Sequence, residues 1–230
     1  MGRRLCQEDL KTIGCLSMLL DHIGAVFVPG YYSYYLLRMV GRIAFPIYCF
    51  LLVEGAYHTR NPRRYALRLA LGAAISELPF DLTFFGGVTL AHQSVMLTLL
   101  LGLLAVEAWK KLPQWARFPA VAALVWAAEW MQTDYGGWGV GMILAFALVK
   151  GRGWKLWLLA PILLVVTLGM GSVGVPFLWD APIEPFAMLA LVPIGCYNGE
   201  KRGTGRGAQW LFYGFYPVHL LVLRAIKGLL

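Results

Sequence analysis

Apolar stretches long enough to cross a bilayer recur along the whole chain, and this recurrence limits the possible folds more than any single residue does. A spanning helix needs about 20 mostly apolar residues. Such runs lie near 12–29, 36–56, 65–85, 93–110, 116–132, 136–150, 154–172, 183–198 and 208–226. The sixth is short and glycine-rich, so the expectation is about nine spans, within a range of eight to ten. Only 14% of the residues are charged, against about a quarter in a typical soluble domain. The expected fold class is all-α, a polytopic integral membrane protein with residues 1–230 as one domain. No repeat or low-complexity segment interrupts it, and "MGRRLCQED" followed by an apolar run without a small-residue cleavage site does not read as a cleavable signal peptide.

The net charge of +8 suggests nucleic acid until its distribution is followed. Arg3, Arg4 and Lys11 precede or open the first run, and Arg60, Arg63, Arg64 and Arg68 fill the second loop. Alternate later loops carry Lys110, Lys111 and Arg117, then Lys150, Arg152 and Lys155, then Lys201, Arg202 and Arg206. Loops of the other parity carry Asp81, Asp134, Asp180 and Glu184. Basic loops stay cytoplasmic, so the charge reads as a topology signal with the N-terminus inside. Nucleic acid is not an expected partner; the lipid bilayer is. Cys6, Cys15, Cys49 and Cys196 lie too far apart for a disulfide framework or a paired CxxC site, and no metal is expected.

Against this apolar background, ionisable residues gather at one depth. Asp21 and His22 fall deep in the first run, where one charge costs about 2.5–3.5 kcal/mol. With about 1.5 Å of rise per residue, His22 lies about 10 Å below the outer surface. Arg38 and Arg42 enter the second run one turn apart, Glu77 and Asp81 leave the third with the same spacing, and His219 occupies a matching depth in the last. His92 and Asp134 border the layer from outer loops. A buried ion pair of Arg42 with Glu77 or Asp81 explains part of it, and a lone membrane histidine usually bonds a neighbouring helix. Two histidines, two arginines and three carboxylates at one level point instead to a functional site. At the opposite end, "HTRNPRRYALR" offers arginines to an anionic cytosolic ligand, or to anionic lipid.

Lys11 precedes His22 with ten residues between them, in the first run, and this pair resembles the Lys/Arg-x10-His signature of the acyltransferase-3 superfamily of transmembrane acyltransferases. "GRIAFPIYCFLLVEGAYHTRNPRRYALRLALGAAISELPFDL" and "FYGFYPVHLLVL" look like the same superfamily's arginine-rich region and its late Tyr-Pro-x-His helix. The ordered set "LSMLLDHIGAVF", "GRIAFPIYCFLLVEG", "SELPFDL", "HQSVMLTLLLGLLA", "TDYGGWG" and "FYPVHLL" resembles the TraX family in particular, nearly end to end. That family's named member acetylates the N-terminus of a conjugative pilin. The resemblance implies helices around a central polar tunnel in the bacterial cytoplasmic (inner) membrane. It also implies transfer of an acetyl or other short acyl group from cytosolic acetyl-CoA, or a related acyl-CoA, to an outer amine or hydroxyl. The acceptor (a protein N-terminus, a glycan or a small molecule) is left open, and pilin itself is not implied.

On this reading Lys11, Arg60, Arg63, Arg64 and Arg68 hold the donor phosphates. Lys11 and His22 are about 16 Å apart along a helix, a length comparable to an extended pantetheine arm. His22 is the general base, with Asp21 or another carboxylate fixing its tautomer; Asp21 facing an arginine is the alternative. A covalent acyl-histidine route is also open. Arg38, Arg42, Glu77, Asp81, His92, Asp134 and His219 are expected to bind the acceptor or polarise the thioester. Competing readings are a secondary transporter and a non-catalytic membrane component of a conjugation or envelope assembly.

Overall fold

Prolines and side-chain caps divide the apolar runs into helices. The computed structural model describes residues 5–28, 32–150, 159–169, 174–175, 181–202 and 206–229. Within them the order is α1 (Gln7–Phe27), α2 (Tyr32–Gly41), α3 (Ala44–His58), α4 (Pro62–Phe84), α5 (Val95–Lys111), α6 (Gln114–Trp130), α7 (Gly136–Val149) and α8 (Leu159–Gly169). A two-residue antiparallel ladder, β1 (Gly174–Val175) with β2 (Ala181–Pro182), leads to a 3-10 helix (Glu184–Ala190), α9 (Leu191–Gly195) and α10 (Arg206–Leu229). Asn61 opens α4 by accepting from the Arg64 amide, with Pro62 at the first helical position. There its missing N–H costs nothing. Pro46 has the opposite effect: it cannot donate to the carbonyl of Arg42 four residues back, and its ring crowds that carbonyl. The helix accordingly breaks at Arg42 and Ile43, between α2 and α3.

Every expected run coincides with a helical segment of the all-α fold. The seventh does so only through α8, because 154–158 and 170–172 lie outside the described residues. Arg3, Arg4, Arg152, Lys155 and Asp180 also lie outside them. Two stretches, Gln7–Phe27 and Tyr32–His58, are long and apolar enough to cross a membrane by length and composition, whereas Gly136–Val149 and Glu184–Gly195 are apolar but shorter.

Inside the bundle, Ile47 and Val53 of α3, Leu103 and Val106 of α5, and Val140 and Ile143 of α7 are almost completely buried. A Cβ on Gly102 would lie 2.1 Å from Ile143 Cδ1, so the small residue lets α5 and α7 approach. α1 is flanked by α2, α3 and α10, and α4 packs on α5 and α10. The loops rich in lysine and arginine gather at one end. There Lys110 Nζ donates to the Ala56 carbonyl at 2.8 Å, Lys150 pairs with Glu54, and the Leu5 amide donates to the Cys196 carbonyl at 3.1 Å. At the other end the Asp134 amide donates to the Gln93 carbonyl at 2.9 Å, tying the α4–α5 loop to the α6–α7 turn. The outward surface is apolar: Leu67, Leu71, Ile75 and Leu78 form an exposed stripe on α4, and Trp115, Trp126 and Trp130 are exposed along α6.

Candidate functional site

Asp21 and His22 point in different directions from α1, as neighbours on a helix must, and each meets its own partner. Asp21 is buried and accepts from Arg38 Nη1 at 2.5 Å and from Arg42 Nη2 at 2.7 Å, one arginine on each carboxylate oxygen. Arg38 lies near the end of α2 and Arg42 in the break that Pro46 causes. Gly41, between them, makes the contact possible: a Cβ there would fall 2.2 Å from Asp21 Oδ1 and 2.3 Å from its Cβ. Two cations on one carboxylate leave donors to spare, and Nε of both Arg38 and Arg42 is buried without a hydrogen-bond partner among the described residues.

His22 Nδ1 lies 2.7 Å from His219 Nε2, and His219 Nδ1 lies 2.7 Å from the carbonyl oxygen of Phe215. A carbonyl only accepts, so His219 Nδ1 carries the proton that donates to it. With His219 neutral, its Nε2 is then an acceptor, and His22 must donate from Nδ1. The lone pair of neutral His22 is thereby fixed on Nε2. Phe84 and Tyr216 meet the His22 ring edge-on at centroid distances of 5.4 Å and 6.3 Å, and Phe215 stacks on His219 at 4.7 Å. The aromatic enclosure and the histidine relay orient one imidazole nitrogen as a proton acceptor.

A cavity of about 820 Å³ joins this layer to the basic end of the bundle. Its lining includes Asp21, His22, Arg38, Arg42, Asp134 and Glu184 at one level and Lys11, Arg68 and Lys201 at the other. Midway, Tyr48 lines it, with its hydroxyl 3.2 Å from Cys15 Sγ. The remaining expected residues do other work. Glu77 accepts from the Ser94 amide and hydroxyl at the start of α5, and Asp81 accepts from the Thr89 amide at 2.9 Å. The anticipated pairing of Arg42 with Glu77 or Asp81 is thus corrected: Arg42 takes Asp21, and the two α4 carboxylates satisfy backbone donors that the α4–α5 loop would otherwise leave open. His92 is exposed and stacks on Phe85 at 5.5 Å. Arg60, Arg63 and Arg64 are exposed at the start of α4 and do not line the cavity. Desolvation raises the Asp134 carboxyl to about 6, with Arg42 pulling it back, although the residue as a whole is exposed. Among the described residues, no three His, Cys, Asp or Glu side chains come together as metal ligands.

The model of the family described as "TraX protein" matches residues 6–227. This chain belongs to the TraX family. A probable fimbrial assembly protein FimC (serogroup H1) of Dichelobacter nodosus is 32% identical over 249 residues, covering 95% of this chain and 94% of the relative. An uncharacterised protein of Rickettsia prowazekii (strain Madrid E) is 25% identical over 146 residues, covering 61% of this chain and 54% of the relative. No solved structure matches.

For this TraX-family chain, the residues that sequence reading passed over are those whose signal is contact rather than charge at depth. Tyr48 looks like an ordinary aromatic residue of an apolar run, and Tyr135 and Tyr216 stand in quoted motifs with no role assigned, yet all three line the cavity. Glu184 and Lys201 register in the sequence only as charge-parity markers, and they stand at opposite levels of its wall. The proline four residues after Arg42 was the available clue that this arginine occupies a break.

Proposed function

We propose that this TraX-family protein is a membrane-embedded acyltransferase. In this reading it moves an acetyl or other short acyl group from acyl-CoA, held at the basic end, to an amine or hydroxyl that reaches the histidine pair from the opposite side. The observation that carries the proposal is the single cavity joining Lys11, Arg68 and Lys201 to His22. Its volume lies in the range of about 300–1,000 Å³ of small-molecule and cofactor sites. Lysine and arginine suit the donor's phosphates. The apolar stripe on α4 and the tryptophans near both ends of α6 support burial in a bilayer, because such surfaces match lipid and its interfaces. The fimbrial name of the Dichelobacter relative supports a role in assembling surface fibres, with an acceptor presented outside the cytoplasm.

His22 Nε2 accepts the proton of the attacking amine or hydroxyl as its nitrogen or oxygen bonds to the thioester carbonyl carbon. The carbonyl π electrons move to oxygen, then return as the carbon–sulfur bond breaks. The imidazolium gives its proton to the departing thiolate, leaving acylated acceptor, free CoA and neutral His22. His219, anchored on the Phe215 carbonyl, holds the ring throughout. The test is to incubate the purified protein with labelled acetyl-CoA and a panel of peptide amines and glycans, following CoA release and covalent label. Release coupled to labelling is the expected result. A folded protein that neither binds CoA nor releases it would overturn the reading in favour of a non-catalytic assembly component.

A further inference from the structure

We infer that Arg38 and Arg42, braced by Asp21, form the oxyanion site of the reaction. This rests on the acyl-transfer reading and assigns the group that stabilises the charge the thioester develops. Asp21 takes Nη1 of Arg38 and Nη2 of Arg42 and leaves Nε–H of both buried and, among the described residues, unpartnered. A buried N–H donor without a partner is costly, and two of them on cations that line the cavity mark an excess of donors over acceptors beside it. The cavity's other carboxylates do not supply the missing acceptor: Asp134 and Glu184 make no ion pair with either arginine among the described residues, and Glu184 keeps its own buried oxygen unpartnered.

Position decides which acceptor these cations meet. Asp21 and His22 are consecutive on α1, so the arginines held by one flank the base formed by the other, in the same cavity. When a nucleophile bonds to the thioester carbonyl carbon and His22 Nε2 takes its proton, the carbonyl π electrons become a lone pair on oxygen. That oxygen accepts from guanidinium N–H groups of Arg38 and Arg42, which line the cavity. When the carbon–sulfur bond breaks, the charge passes to sulfur and is quenched by the His22 proton. The donors are fixed in advance: Pro46 sets the break that carries Arg42, Gly41 admits the Asp21 carboxylate, and Asp21 fixes both guanidiniums. Preorganised donors of this kind gain most in a water-poor site.

Lysine keeps the charge but lacks the planar fork of guanidinium N–H donors, so Arg38→Lys and Arg42→Lys isolate the donors. The readout is CoA release from labelled acetyl-CoA, with glycinamide and glycerol as simple amine and hydroxyl acceptors and water alone as the baseline. Binding of labelled CoA and thermal unfolding are measured on the same samples. The expected result is a fall in kcat of about 10²–10³, in the water baseline as well, with CoA binding within about twofold of the wild type. Arg38→Gln serves as a second variant should a lysine protein fail to fold. An unchanged water baseline with a raised KM for the acceptors would overturn the oxyanion role in favour of acceptor binding. Lost folding in all three variants, or lost CoA binding, would overturn it in favour of a structural ion pair. No CoA release by the wild type under any condition would overturn the acyl-transfer reading itself, a result distinct from normal release by the lysine variants.

Discussion

Asp21 and His22 leave α1 about 100° apart, and that angle sends Asp21 to the two arginines and His22 to His219. If His22 is the base, His22→Ala lowers transfer by about 10²–10⁴ with CoA binding intact, and His22→Gln fails comparably because an amide cannot take the proton. His219 acts through His22 Nδ1, so the substitutions should sort by hydrogen-bonding capacity. His219→Gln keeps an acceptor and stays within about tenfold of the wild type. His219→Ala strands a buried N–H and loses about 10–100-fold, matching the 1–3 kcal/mol such a group costs. Transfer rates on folded protein check both. The sequence already singled out His22 and His219 by depth, but not their contact across 197 residues. Nothing local encodes which helix the last one will face. Asp134 adds a pH dependence. Its carboxyl is raised to about 6, so its ionisation opposes folding and costs stability as pH rises through that value. Asp134→Asn is expected to raise the melting temperature above pH 6 and to lose that advantage well below it; a gain confined to acid would reverse the sign.

The helices were the legible part of the chain, because long apolar runs separated by alternately basic and acidic loops leave few other choices. What periodicity did not reveal was the close approach of α1 to the α2–α3 break, which depends on an absent side chain. Gly41→Ala would push a methyl group into Asp21, so it is expected to cost about 1–3 kcal/mol of stability, seen as a lower melting temperature together with lost transfer. Gly102→Ala meets the buried side chain of Ile143, away from the Asp21 contact, and is expected to cost stability but to be nearly silent in transfer. Equal effects would mean that helix packing, not the Asp21 contact, sets the cost at Gly41. Charge was legible in the same partial way. The arginine-rich start of α4 was evident, yet only Arg68 of its four arginines lines the cavity, beside Lys11 and Lys201. Helical phase turns the others outward.

At the scale of the whole molecule, one cavity links two chemically different ends, and the proposed function depends on that link. Lys11→Ala combined with Arg68→Ala is expected to weaken CoA binding by about tenfold or more, the worth of a lost charge-assisted hydrogen bond. Arg63→Ala combined with Arg64→Ala should change it by less than about twofold. Calorimetry or thermal shift with CoA distinguishes the pairs, and the reverse order would move the donor site onto the α4 surface. The most direct measurement reconstitutes the protein in vesicles with its basic end outward and membrane-impermeant peptide amines trapped inside. Labelled acetyl-CoA is then supplied outside only. Label is expected on the trapped peptides with the wild type and not with His22→Gln. Label that appears only when donor and acceptor share one side, or that appears equally with His22→Gln, would contradict transfer through the cavity at this histidine.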